Sequence, residues 1–142
     1  MDGVLCDYVG AHNKATTLCP SIKYPQSQYG FFRNLKPLPN AIEAFSVLFM
    51  HADVYILTAP SVKNPLSYSE KREWVETHLG VEVTEKLIMS PNKGLSKGDY
   101  LIDDMISGKG QDKFEGKLIH FGSDEFPNWN KVLEYFKKEL NI

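Results

Sequence analysis

The sequence has few cysteines, no long apolar run, no excess of one charge and no internal repeat. Cys6 and Cys19 are the two cysteines among 142 residues. They lack a CxxC pair or a histidine at zinc-ligand spacing, so neither a disulfide framework nor a zinc site is expected, and both are read as reduced thiols. The longest apolar runs are about five residues, against the roughly 20 needed to cross a bilayer. No charged-then-apolar leader is visible, and a cytoplasmic protein without membrane contact is expected. A formal net charge of −2 and a pI near 6.1 give no basic footprint for a nucleic-acid backbone, which points to small-molecule partners rather than polymers.

What is present is 42% hydrophobic and 24% charged sequence, enough for one domain over residues 1–142 with a real core. The pattern alternates short apolar runs with helical stretches. Met1 to Leu5 reads as the tail of an apolar strand entering from upstream and interrupted by Asp2-Gly3. Residues 9–18 read as a short helix, and 19–30, with Pro20, Pro25 and Gly30, as an irregular connection. Asn40 is placed to cap a helix over 41–51. The run Val54–Leu57 predicts a buried strand, followed by a helix capped by Ser67 or Ser69, carrying Trp74, Val75 and Leu79 inward and stopping at Gly80. Strands are predicted at 87–89, 100–102 and 118–121, and a last helix at 128–140. This order predicts an α/β fold: a doubly wound, Rossmann-like parallel sheet with helices on both faces and a small lid at about 9–32 after the first strand. Polar ligands gather at the carboxyl ends of strands in such sheets, where Thr58 and Asp103-Asp104 fall.

Each of these residues has a plain structural reading. Asp2-Gly3 suits a turn, Thr58 a cap, Lys93 a solvated surface and Asp103-Asp104 a polar strand end. Together they present an acid, a hydroxyl, a lysine and an acid pair in an order that matches what a phosphate dianion and its metal need.

Met1-Asp2-Gly3-Val4-Leu5-Cys6-Asp7 resembles all but the first residue of the DxDGVL motif that opens haloacid dehalogenase superfamily phosphatases. Ile56-Leu57-Thr58-Ala59-Pro60 resembles their second motif, Lys93 their third-motif lysine and Leu101-Ile102-Asp103-Asp104 their fourth-motif acid pair. The stretch Tyr68 to Val75, the segment Phe32 to Asn40 and the closing His120-Phe121-Gly122 with Pro127-Asn128-Trp129 are similar to the 5′(3′)-deoxyribonucleotidase branch. A phosphorelay receiver domain uses similar residue types, but there the lysine follows all the acids, whereas Lys93 precedes Asp103.

The resemblance implies a Mg²⁺-dependent phosphomonoesterase acting on (deoxy)nucleoside monophosphates through an aspartyl phosphate. The nucleophilic Asp is then expected just before Met1, outside this chain. Asp2 matches the proton-transferring acid, and its backbone carbonyl, freed by Gly3, a metal ligand. Thr58 matches the hydroxyl donor to phosphate, with Ala59 beside it in the substrate-binding set, and Lys93 the cation that offsets charge crowding. Asp103 matches the direct metal ligand and Asp104 an acid that orders a metal-bound water or Lys93. Thr58 and Lys93 are expected to converge on one anion site. Tyr8 matches the base-stacking aromatic. Phe31 and Phe32 are read either as a second apolar wall for the base or as core packing. His12, His51, His78 and His120 lack ligand spacing and receive no role. Two other readings stay open: a non-catalytic phosphate- or nucleotide-binding relic, and a phosphatase for another small phosphoester.

Overall fold

In a computed structural model that describes residues 1–142, the chain forms four helices and four short strands, with two helices before the first strand and three of the strands in succession before the last helix. Helix α1 is Tyr8–Leu18, α2 Ala41–His51, α3 Leu66–Leu79 and α4 Trp129–Glu139; the strands are β1 Ile56–Thr58, β2 Leu87–Met89, β3 Tyr100–Asp103 and β4 Lys117–His120. The α/β class and most boundaries follow the apolar periodicity. Single-turn 3₁₀ segments at Pro25–Ser27, Lys93–Leu95 and Gln111–Lys113 sit in the connections.

The strands form two parallel pairs rather than one sheet. β1 lies beside β2 with Ile56 opposite Leu87 and Thr58 opposite Met89. β3 lies beside β4 with Tyr100 opposite Lys117 and Asp103 opposite His120. Between the pairs lies an apolar cleft of about 640 Å³, lined by Tyr55–Leu57, Leu101, Ile102 and Phe45 among others. The single doubly wound sheet expected from sequence is therefore not seen in that form. Residues 1–5, expected as the tail of a strand, do not run extended: the N–H groups of Val4, Leu5 and Cys6 all turn back onto the Met1 carbonyl. Gly3 makes this turn possible with φ +69°, a region that L side chains avoid.

Two predicted caps take a different form. Asn40 precedes α2 in the left-handed region and makes no side-chain cap bond; its amide donates to Asn130 Oδ1 at 3.0 Å, tying α2 to α4. Helix α3 starts at Leu66, before either predicted serine cap, and Asn64 Oδ1 accepts the Leu66 N–H at 3.1 Å. Ser67 lies inside the helix, where its hydroxyl accepts from Ser61 N at 3.0 Å and donates to Asn64 O at 2.8 Å. By contrast Asn128 caps α4 as its residue type predicts, accepting from Lys131 N at 3.2 Å.

The core runs from Val4, Leu5 and Cys6 through Phe45, Leu48, Trp74 and Val75 to Ile119, Val132 and Phe136. Both tryptophans satisfy their buried indole N–H: Trp74 donates to Leu35 O at 2.7 Å and Trp129 to Val4 O at 2.6 Å. The second bond holds the turn that carries Asp2 and Gly3 against α4. The segment expected as a lid is α1 followed by an irregular stretch; no residue of α1 is buried. Asp7 caps α1 by accepting from Gly10 N at 2.8 Å.

Candidate active site

Two polar clusters, one from each strand pair, meet at the turn formed by Met1, Asp2 and Gly3. The first belongs to β1. Thr58 ends that strand and is 2% exposed. Lys71, from the second turn of α3, is fully buried and donates from Nζ to Thr58 Oγ1 at 3.0 Å and to Asp2 Oδ2 at 2.5 Å. A buried ammonium is tolerated only when paired and hydrogen-bonded, and here both conditions hold. The other Asp2 oxygen, Oδ1, has the Cys6 thiol at 3.6 Å as a weak donor.

The second cluster belongs to β3. Asp103 ends the strand, and Lys93, brought in by the turn 93–95, forms a buried ion pair with its Oδ2. Asp103 Oδ1 accepts from Met105 N at 3.0 Å and from Gln111 Nε2 at 3.1 Å. Both carboxylate oxygens of Asp103, the residue expected as a direct metal ligand, are thus engaged by protein donors. Asp104 makes no ion pair, and its carboxylate lies against Gly3 so closely that a Cβ there would collide with it. Burial first, and then the charge of Asp103, raises the Asp104 pKa above the ordinary carboxylate value.

The two clusters border the same turn, Lys71 through Asp2 and Asp104 through Gly3. Thr58 and Lys93, expected to share one anion site, have separate partners: Thr58 accepts from Lys71, and Lys93 pairs with Asp103. Burial, followed by the charge of Asp2, pushes the Cys6 thiol far up, so it stays protonated.

An aromatic wall stands beside this turn. Tyr8 meets Phe31 edge-on with ring centroids 5.5 Å apart and lies 6.2 Å from Phe32. Burial and then the charge of Asp2 raise the Tyr8 pKa, which places its hydroxyl within the electrostatic reach of that acid. Phe32 is a core residue, 2% exposed, with the Lys71 ammonium 4.6 Å from its ring centroid. Phe31 is half-buried and presents the more accessible ring. Ala59 follows Thr58, half-buried, and makes no polar contact through its side chain.

The sequence reading missed Lys71, Glu70 and Gln111. The available signal was positional: Ser67, Glu70, Lys71 and Trp74 share one face at helical spacing, so polar residues lie on the stripe that Trp74 marks as buried.

The residues present suit a magnesium ion. No cluster of three or more histidine, cysteine or carboxylate side chains could cage a metal. Mg²⁺ does not need one, since it keeps several waters and takes one or two carboxylates together with substrate phosphate oxygens. Asp104, unpaired and desolvated beside Gly3, is the carboxylate whose charge such an ion would offset.

Comparison with known proteins gives the family of the chain. The family described as 5′ nucleotidase, deoxy (Pyrimidine), cytosolic type C protein matches residues 21–134. A Vibrio phage KVP40 protein named a candidate 5′(3′)-deoxyribonucleotidase is 40% identical over 98% of this chain and 82% of its own length. A Bordetella bronchiseptica protein of the same name is 43% identical over 73% of this chain, and the human cytosolic-type 5′(3′)-deoxyribonucleotidase is 34% identical over 73%. The match spans 62% of the Bordetella protein and 47% of the human one. With the family match covering most of its length, this chain belongs to the 5′(3′)-deoxyribonucleotidase family of haloacid dehalogenase-type phosphatases.

Proposed function

We propose that this chain forms the active-site scaffold of a Mg²⁺-dependent phosphomonoesterase that releases phosphate from (deoxy)nucleoside monophosphates. The observation that carries the reading is that the Asp2-Gly3 turn borders both the Lys71–Thr58 cluster and Asp104, the neighbour of the Lys93–Asp103 pair. The phosphate lies between the two lysines, with the Thr58 hydroxyl as a neutral donor and the base against Tyr8 and Phe31. The net charge of −2 favours free nucleotides over polymers.

Asp2 moves the proton. Lys71 holds Oδ2, which leaves Oδ1 to deliver a proton to the departing nucleoside oxygen and then to take one from the water that cleaves the phosphoenzyme. Attack on phosphorus is assigned to the acid that precedes Met1 in the family motif, a position outside residues 1–142. Asp104 and the Asp2 carbonyl are the groups assigned to the metal, which supplies charge neutralisation and orientation of the phosphate when bound. Asp103 then acts through Lys93, which it orients.

The test is phosphate release from a panel of deoxyribonucleoside, ribonucleoside and sugar monophosphates. It is run with Mg²⁺ on residues 1–142 and on the same chain extended upstream by an apolar strand ending in Asp. The extended protein is expected to turn over nucleoside monophosphates at an ordinary enzyme rate, about 1–100 s⁻¹. The 142-residue chain should be slower by roughly thousands-fold, and Asp2→Asn in the extended protein slower by about 10²–10⁴-fold. An extended protein inert toward nucleotides, or an Asp2→Asn variant as fast as its parent, contradicts the proposal.

A further inference from the structure

Glu70 stands next to Lys71 in sequence but faces the lid. It is 2% exposed, and its carboxylate accepts three backbone N–H groups from one loop: Gly30 at 2.5 Å on Oε1, with Phe32 at 3.0 Å and Arg33 at 3.4 Å on Oε2. Few side chains can satisfy three buried donors in a loop that has no strand or helix partner. A carboxylate can, because it offers two oxygens and full charge. The loop it holds carries Phe31 and Phe32, two of the three rings of the aromatic wall. Further ties between residues 64–74 and residues 26–35 lie on either side. Asn64 Nδ2 donates to Gln26 O at 2.8 Å, Arg33 pairs with Glu73 at 3.3 Å, and Trp74 Nε1 donates to Leu35 O.

We infer that Glu70 is a positioning residue for nucleoside recognition, which sets the Gly30–Arg33 loop so that Phe31 and Phe32 meet Tyr8 beside the phosphate site. The inference rests on the proposed nucleotide substrate. Its physical content is that one turn of α3 serves two ends of the ligand: Lys71 holds Asp2 and Thr58 at the phosphate end, while Glu70 holds the wall at the nucleoside end. The two functions are separable because the two side chains share no hydrogen-bond partner.

The closing experiment uses Glu70→Gln, which keeps the shape and removes the charge and part of the acceptor capacity. Three quantities are read with Mg²⁺ present: affinity for a deoxyribonucleoside monophosphate, affinity for inorganic phosphate, and amide hydrogen exchange at residues 30, 32 and 33. The expected result is nucleotide affinity about 10-fold weaker, in line with the loss of one or two buried hydrogen bonds. Phosphate affinity should stay within about two-fold of the parent, and the three amides should exchange faster. Glu70→Asp, which keeps the charge but shortens the reach, is expected to weaken nucleotide affinity and speed exchange of the three amides by less, with phosphate affinity again unchanged, and it serves if the glutamine variant does not fold. Equal weakening of nucleotide and phosphate, or unchanged exchange at the three amides, overturns the inference. A parent protein that binds phosphate but shows no preference for nucleotides defeats the substrate reading instead, and the exchange readout still decides whether Glu70 holds the loop.

Discussion

Cys6 illustrates how a single buried side chain leaves a measurable mark. Its thiol is fully inaccessible, and burial together with the neighbouring Asp2 charge raises its pKa well above the ordinary value of 9.0. The folded state therefore keeps the proton at a pH where the unfolded chain releases it. The contribution is complete below about pH 9 and declines as pH rises above it, by up to ~1.4 kcal/mol per pH unit. Tyr8 and Tyr100 also titrate high in the fold, so the comparison that isolates the thiol is with Cys6→Ala. Urea midpoints measured at pH 8 and pH 10 should fall more in the parent than in Cys6→Ala, and equal slopes would show that the thiol is not buried as described. At this scale the sequence was readable where a residue sits at a strand end. Thr58, Asp103 and Asp104 were found because an apolar run stops on them. Lys71 and Glu70 were not, because a charged residue in a helix ordinarily faces water, and only its register with Trp74 says otherwise.

Helix α3 is the element that organises the site, and its buried stripe is mostly polar: Ser67, Glu70 and Lys71 precede Trp74 and Val75. Such a helix is held by specific hydrogen bonds more than by an apolar seam, which is also why its start was misjudged. Ser67 has the residue type of a cap, yet the helix begins at Leu66 and the serine hydroxyl is used across the loop to Ser61. That loop follows Thr58 directly, so Ser67 fixes the exit of β1. Ser67→Ala leaves the Ser61 N–H without its partner in a partly buried setting. The cost should be about 1–3 kcal/mol in urea denaturation, against a few tenths for an exposed serine such as Ser46. A loss no larger than that of Ser46→Ala would remove Ser67 from this role. The strands and the helices α2 and α4 were legible from periodicity, to within a residue or two at their ends. The turn at residues 1–6 was not, because its form depends on Trp129, more than a hundred positions away, bonding to the Val4 carbonyl.

On the scale of the whole molecule, two parallel strand pairs face each other across an apolar cleft, and the polar ends of both pairs close on Asp2 and Gly3. Neither β1 nor β3 has a strand partner on its cleft side, and one core that includes Ile56 of β1 and Ile119 of β4 joins the two halves. The α/β class and the strand order along the chain were visible in the alternation of apolar runs. How those strands pair was not, since short apolar runs do not specify their neighbours. The proposed function requires that lysines from the two halves serve one anion. Its most direct test is calorimetric titration of inorganic phosphate with Mg²⁺ into the parent, Lys71→Gln and Lys93→Gln, with folding of each verified by urea denaturation. The amide keeps a donor for Asp2 or Asp103 while removing the charge. The account predicts one site per chain in the parent and a loss of about 10-fold or more in both variants, as expected for charge-assisted bonds in a desolvated site. Parent-like affinity in either folded variant would mean that the two clusters do not share a ligand, and would contradict the account.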